Sequence, residues 1–293
     1  MKRKLLSLLL AGVMALSLAA CNQSSDNGSP DNGSAQDLDA DGVLTQALSQ
    51  EKDITSLGAT MVMDMQLKLS AAGEEQTMDM SMTTDMATIS DPLKLKMIMT
   101  TEAMGESAVV QVYAQKQDDS FMMYVNDGSS WTSGAVNESD LEGYMATANL
   151  SPILAGGVEL KETGSEELEG RDTFHYTGSY TGENAKELLL SSGTLDSVSQ
   201  LGLDATELMD SIGEELSGIP VNIWIDKENC QVLRYDMDMS SIMNDIFAAM
   251  LASMGSEAEG MSMECPVAKI TVDCRDYNAV TDIEIPEEAL AAS

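Results

Sequence analysis

The side chains most open to unusual chemistry here are thioethers set at every second position. Met61, Met63 and Met65 alternate in MVMDMQLKL, Met78, Met80 and Met82 in TMDMSM, and Met97 and Met99 in LKLKMIMT. The chain holds 23 Met against 3 Phe and 2 Trp, and all but Met1 and Met14 follow Cys21. Sulfur of this kind can ligate a soft ion such as Cu(I). It can also act as flexible, polarizable bulk that repacks around an irregular apolar guest. Two features weigh against the metal. Leu67, Leu69, Leu93 and Leu95 continue the same stripes as if Met and Leu were interchangeable, and no His accompanies them. Ordinary core packing and an adaptable apolar cavity both account for the stripes, and the residues alone do not separate the two.

Other chemistry has less support. His175 is the single histidine and sits inside an alternating run between Phe174 and Tyr176, which is the setting of a structural strand histidine. With 49 acidic residues, paired carboxylates occur everywhere and their spacing carries no signal for a glycosidase-like acid pair. The chain contains no GxxxxGK[ST], no GxGxxG after a strand and no HExxH. Asp39-Ala40-Asp41-Gly42 begins like a calcium loop but lacks the terminal Glu, so it reads as tether and helix cap. We expect no enzyme, no cofactor and no metal site.

The elements that must position these side chains begin behind an export signal. Lys2, Arg3 and Lys4 precede a short apolar stretch that ends in Leu18-Ala19-Ala20-Cys21. That is the pattern of a secretory signal, residues 1–20, whose last residues resemble the bacterial lipobox. The Cys21 thiol is then the lipid attachment site, and two or three acyl chains there would hold the protein stably on the extracytoplasmic face of a cell membrane. No later stretch approaches 18 apolar residues, so no other membrane span is expected. Residues 21–38 form a polar Asn/Gly/Ser/Asp tether, and residues 39–293 carry strands to the end without a second linker, giving one domain. Net charge is −34, and the signal removes only basic residues. Such a field repels nucleic acid and anionic headgroups and favours a soluble monomer. Cys230, Cys265 and Cys274 are expected as free thiols. Strand parity groups Leu233, Tyr235 and Met237 with Ala268, Ile270 and Cys274, and puts Cys230 on the opposite face.

In order, the pattern predicts a helix near Asp41 to Lys52, then three methionine-rich strands as an antiparallel meander with turns at Ala72-Gly73-Glu74 and Ser90-Asp91-Pro92. Strands at Ala108–Ala114 and Ser120–Val125 follow, and the turn Asn126-Asp127-Gly128 leads into Trp131. Ser139 with Glu142 caps a helix, and Ser151-Pro152 starts a helical turn that Gly156-Gly157 ends. Strands at Val158–Thr163 and Arg171–Tyr180 precede helices near Ala185–Leu190 and Ala205–Leu216, the latter capped by Asp204 with Glu207. A hairpin of Val221–Ile225 and Gln231–Met239 comes next. Ser240–Met254 is the clearest helix, with Ile246, Phe247 and Met250 on one stripe, and Pro266–Cys274 and Val280–Ile285 read as the last strands.

At Ile223-Trp224-Ile225-Asp226-Lys227-Glu228, followed by Val232-Leu233-Arg234-Tyr235, the hairpin resembles that of LolA-like and LppX-like lipoprotein carriers, and most of all Gram-positive lipoproteins placed beside them. The order of elements from Asp41 to Pro286 is similar as well. The resemblance implies an α+β fold: an open antiparallel half-barrel of about 10–11 strands with helices packed on its concave face and an apolar cavity for acyl chains. On that reading Met63, Met65, Leu67, Met78, Met80, Met82, Leu95, Met97 and Met99 line the ligand site from the sheet. Ile246, Phe247 and Met250 close it from the helix. The expected function is a lipid-anchored carrier or sensor of an apolar ligand. The alternatives are a surface lipoprotein with a filled core and, behind it, Cu(I) binding through the Met-x-Met tracts.

Overall fold

A computed structural model describes residues 38–71, 73–117, 120–137, 158–191, 205–212, 216–258 and 260–292. The first helix, α1 (Ala40–Gln50), is capped by Asp39, whose Oδ1 accepts from the Gly42 amide at 2.9 Å; this is the cap role assigned to the calcium-loop fragment. A meander follows: β1 (Ser56–Ala71), β2 (Glu74–Ser90), β3 (Leu93–Ala103), β4 (Glu106–Gln117), β5 (Ser120–Asn126) and β6 (Trp131–Val136). The second half comprises β7 (Lys161–Leu168), β8 (Arg171–Tyr180), helices α2 (Gly182–Ser191) and α3 (Ala205–Ile212), and β9 (Ile219–Asp226). It ends with β10 (Val232–Asp238), helix α4 (Ser240–Met254), β11 (Met261–Arg275) and a short α5 (Glu287–Leu290).

The strands form one antiparallel sheet of eleven in the order β6-β5-β4-β3-β2-β1-β11-β10-β9-β8-β7. Two meanders thus meet along β1 and β11, and the sheet does not close on itself. This is the open half-barrel. Period-two alternation builds its inner face, because each strand turns every second side chain the same way. One row across the sheet runs Met99, Thr84, Met61, Val272, Tyr235, Ile223 and Tyr176. Onto this face pack Val43 and Ala47 of α1, Ala185 and Leu189 of α2, Leu208 and Met209 of α3, and Ile242 and Ile246 of α4, all in one core cluster. Burying each large apolar side chain contributes about 1.5–3 kcal/mol, so sheet and helices depend on one another for stability.

Several sequence readings shift. The stretch Val280–Ile285 is not a strand: it leaves β11 between β1 and β10, which both pair with β11 already. Instead it crosses the outer face of the first meander, where Val280, Ile283 and Ile285, with Ala289 of α5, cover Tyr113, Tyr124 and Trp131 in a second small core. Lys94 pairs with Asp282, and Ser133 Oγ donates to the Ala292 carbonyl at 3.3 Å, fastening this strap at both ends. Trp131–Val136, read only as the exit of a turn, is a strand. Leu233 falls at a register shift between Val232 and Arg234, which reverses parity there. Cys230 therefore lies in the same core cluster as Cys274 rather than on the opposite face, although all three described cysteines are free. The helices expected around Ser139 and Ser151, the Asp204 cap and Cys21 lie outside the described residues.

Candidate ligand-binding face

The methionine strands pair in register, so like side chains meet. Met63 stands opposite Met82, Met65 opposite Met80, and Leu67 opposite Met78. On the next ladder Met86 faces Met97, and Leu95 and Met99 face Thr88 and Thr84. Met63, Leu67, Met78, Met82, Leu95 and Met97 are buried, and so are Ile246, Phe247 and Met250 of α4. Met65, Met80 and Met99 are half-buried against the same cluster. Every side chain proposed for the ligand face therefore belongs to, or packs on, one apolar body between sheet and helices. Sequence reasoning did not assign Tyr176, Tyr180, Tyr235 and Met209 to that body, though alternation in their strands carried the signal for the tyrosines.

Burial sets the polar chemistry of this interior. The hydroxyls of Tyr176, Tyr180 and Tyr235 are pushed well above the ordinary phenol range, chiefly by desolvation. Tyr176 Oη donates to the Ala40 carbonyl at 2.6 Å and so ties α1 to β8. Desolvation also pushes the thiols up, Cys265 to about 11 and Cys274 to about 12. None of these groups is charged near neutrality, as a lining for apolar matter requires.

Helix α4 is fastened at its start. β10 stops pairing at Asp238 opposite Lys269, which leaves the backbone of Ala268 free on that side. The Met239 amide donates to the Ala268 carbonyl at 2.8 Å, and Ser240 Oγ accepts from the Ala268 amide at 2.9 Å. The Ser217 amide donates to Asp245 Oδ2 at 2.7 Å, pinning the connection from α3 as well. These contacts hold the first turns of α4, whereas its last residue, Met254, is exposed.

The first meander has a step. β1 and β2 pair as far as Ala71 and Glu74, whereas β3 leaves β2 at the pair Met80–Ala103. The β1–β2 hairpin thus overhangs the β3–β4 turn, and among the described residues the edge of β2 from Glu74 to Asp79 has no partner strand there. In this corner lies an open groove of about 650 Å³ whose lining includes Asp64, Gln66, Asp79, Ser81 and Glu102, which alternate with the core-facing Met65 and Met80, and Met104 of the β3–β4 turn. A smaller recess of about 210 Å³ lies between α1 and the β9–β10 turn, beside Cys230 and Tyr277.

The profile of DUF6612, a family of unknown function, matches residues 39–293. The chain belongs to that family. Among solved structures, lipoprotein LppX from Mycobacterium tuberculosis is 16% identical, with 84% of this chain and 100% of that one covered and a TM-score of 0.42. LprF from Mycobacterium bovis is 12% identical, covered over 88% and 100%, with a TM-score of 0.43. A LolA-superfamily protein from Nitrosomonas europaea is 11% identical over 85% and 96%, with a TM-score of 0.21. No curated protein matches the sequence.

In this DUF6612 chain the hairpin string around Trp224 serves the scaffold. Asp226 is buried, and its Oδ1 accepts from the amides of Glu228 at 2.7 Å and Asn229 at 3.0 Å, while Oδ2 accepts from Arg171 Nε at 2.5 Å. Lys227 lies over the Phe174 ring, 4.4 Å from its centroid. Trp224 stacks on His175 with centroids 4.6 Å apart, and the ring nitrogens of His175 meet Thr163 Oγ1 and Asn222 Oδ1, each at 3.1 Å. Among the described residues no cluster of three or more His, Cys, Asp or Glu side chains is placed to hold a metal, and no helix is long and apolar enough to cross a membrane.

Proposed function

We propose that this protein is a non-enzymatic extracytoplasmic lipoprotein, anchored through Cys21, that holds an apolar or acyl-chain ligand between its methionine-rich sheet face and α4. The observation that carries the reading is the convergence of the β1–β3 thioethers and the Ile246, Phe247 and Met250 face on one apolar body. Thioethers rearrange at low energetic cost, so a chain can enter where branched side chains would resist. The later turns of α4 serve as the gate. Each methylene buried contributes about 0.8 kcal/mol, and a dozen suffice for useful affinity.

The burial of Met63, Met82 and Met97 favours a second reading, a monomeric surface lipoprotein whose interior is already filled. Native mass spectrometry of the full mature chain carrying Cys21→Ser separates the two. Co-purifying lipid, or stoichiometric uptake of a fluorescent fatty acid, supports the carrier or sensor. A clean apo mass with no uptake supports the filled core, and retained Cu(I) would instead favour thioether ligation.

A further inference from the structure

One hydroxyl interrupts the methionine face. Thr84 lies between Met82 and Met86 at the core-facing positions of β2, and its register partners are Met61 on β1 and Met99 on β3. Thioether side chains therefore flank it both along the strand and across the sheet. Thr84 is 0% exposed, and among the described residues its Oγ1 finds no hydrogen-bond partner. Buried hydroxyls elsewhere are engaged: Thr173 Oγ1 donates to the Glu166 carbonyl at 2.8 Å, and Tyr176 Oη to the Ala40 carbonyl at 2.6 Å. A buried hydroxyl without a partner costs stability, and valine would fill nearly the same space without that cost.

The surroundings restrict what can meet this group. Among the described residues no Lys, Arg or His is buried, so an ionised head brought to Thr84 would lack a countercharge. A neutral oxygen within an apolar chain fits instead. An ester offers only acceptors, which one hydroxyl can serve. An amide would bring an N–H as well and leave it among thioethers, which accept weakly. Access is from one side of the row. Met99 and then Val110 of β4 are half-buried against the core, so Thr84 sits one strand inside the margin of the buried face.

We infer that Thr84 is the polar anchor of the ligand face: its hydroxyl donates to the carbonyl of an acyl ester whose hydrocarbon lies along the surrounding methionines, with the Met99 side chain moved aside. The inference rests on the ligand-binding reading above. It adds a fixed position for the ligand along the sheet and a preference for an ester over plain hydrocarbon. Thioethers grip any chain of suitable length, and the one orphaned hydroxyl supplies the discrimination.

Equilibrium dialysis of the mature Cys21→Ser chain tests this with three neutral probes of equal heavy-atom count: methyl decanoate, N-methyldecanamide and tridecane. Thr84→Val should weaken methyl decanoate about ten-fold and move tridecane less than about two-fold. Thr84→Ser keeps the hydroxyl and should keep the ester preference. In the unaltered site the amide should bind less tightly than the ester. A second readout needs no probe: Thr84→Val should raise Tm by about 2–4 °C, because it removes the orphaned group. Equal changes for ester and tridecane, or an amide bound as tightly as the ester, overturn the inference while leaving the chain-binding reading intact. So does a lower Tm, which would mean that a buried water already satisfies the hydroxyl. No binding of any of the three probes overturns both.

Discussion

Asn244 holds both backbone groups of Cys265. Its Oδ1 accepts from the Cys265 amide at 2.7 Å, and its Nδ2 donates to the Cys265 carbonyl at 3.1 Å and to the Ser240 carbonyl at 2.8 Å. Cys265 lies at a register shift where β11 spends two residues, Cys265 and Pro266, against Leu67 of β1. On its other side β10 has already ended, so a helix side chain takes the place of the missing strand. Asn244→Leu should lower stability by about 2–4 kcal/mol, because it leaves the part-buried Cys265 amide and carbonyl without these partners and loses three hydrogen bonds. Urea unfolding measures this, and a loss under about 0.5 kcal/mol would mean that α4 is not held by this contact.

The strap beyond β11 gives a separate reporter. Ile283 is buried against Tyr113 and Tyr124, and Tyr113 lies 5.9 Å from Trp131 between ring centroids. Ile283→Ala should cost about 2–4 kcal/mol and shift the emission of Trp131 to the red as water reaches it. Unchanged emission would show that the strap does not cover that ring.

The thiols should report burial through pH. Desolvation raises Cys265 from 9.0 to about 11 and Cys274 from 9.0 to about 12. Between those values the folded state binds protons that the unfolded chain has released. The stability contributed is therefore full below about pH 9 and lost as pH climbs through 11 to 12. Thermal unfolding should show no pH dependence from these groups between pH 7 and 9 and a decline above it, smaller in the Cys265→Ala, Cys274→Ala variant. A thiol reagent at pH 8 should label neither until the chain unfolds.

Met104→Asn tests the turn between β3 and β4. Met104 has φ of 56° beside Gly105 at 82°, and Asn accepts positive φ at lower cost, so the variant should gain about 0.5 kcal/mol in unfolding free energy, read by urea unfolding. An unchanged or lower stability would show that the turn is not relieved by Asn.

Leucine at Met63, Met82 and Met97 should be nearly neutral for folding, under about 1.5 kcal/mol together with repacking, since volume is conserved. Under the carrier reading, the range of chain lengths taken up should narrow, because Leu lacks the flexibility of the thioether. Unaltered uptake across a fatty-acid length series would show that these methionines are packing alone.

Local pattern was enough to place most of the sheet. Met61–Leu69, Thr77–Met86 and Leu93–Thr100 alternate strictly, and alternation is a property of neighbours along the chain, so these strands were legible, as was α4 from its stripe at helical spacing. The sets of side chains sharing a face in those strands followed from the same signal, while the resemblance carried by the Trp224 hairpin implied the α+β half-barrel. What residue spacing could not reveal depends on which edges remain free once strands have paired. Val280–Ile285 has the composition of a strand but arrives where both neighbours are occupied, so it became a strap. Cys230 changed sides because one residue of shift at Val232–Arg234 reverses every parity behind it. The groove exists because β1 and β2 outrun β3 at Met80–Ala103, a matter of relative strand length and register.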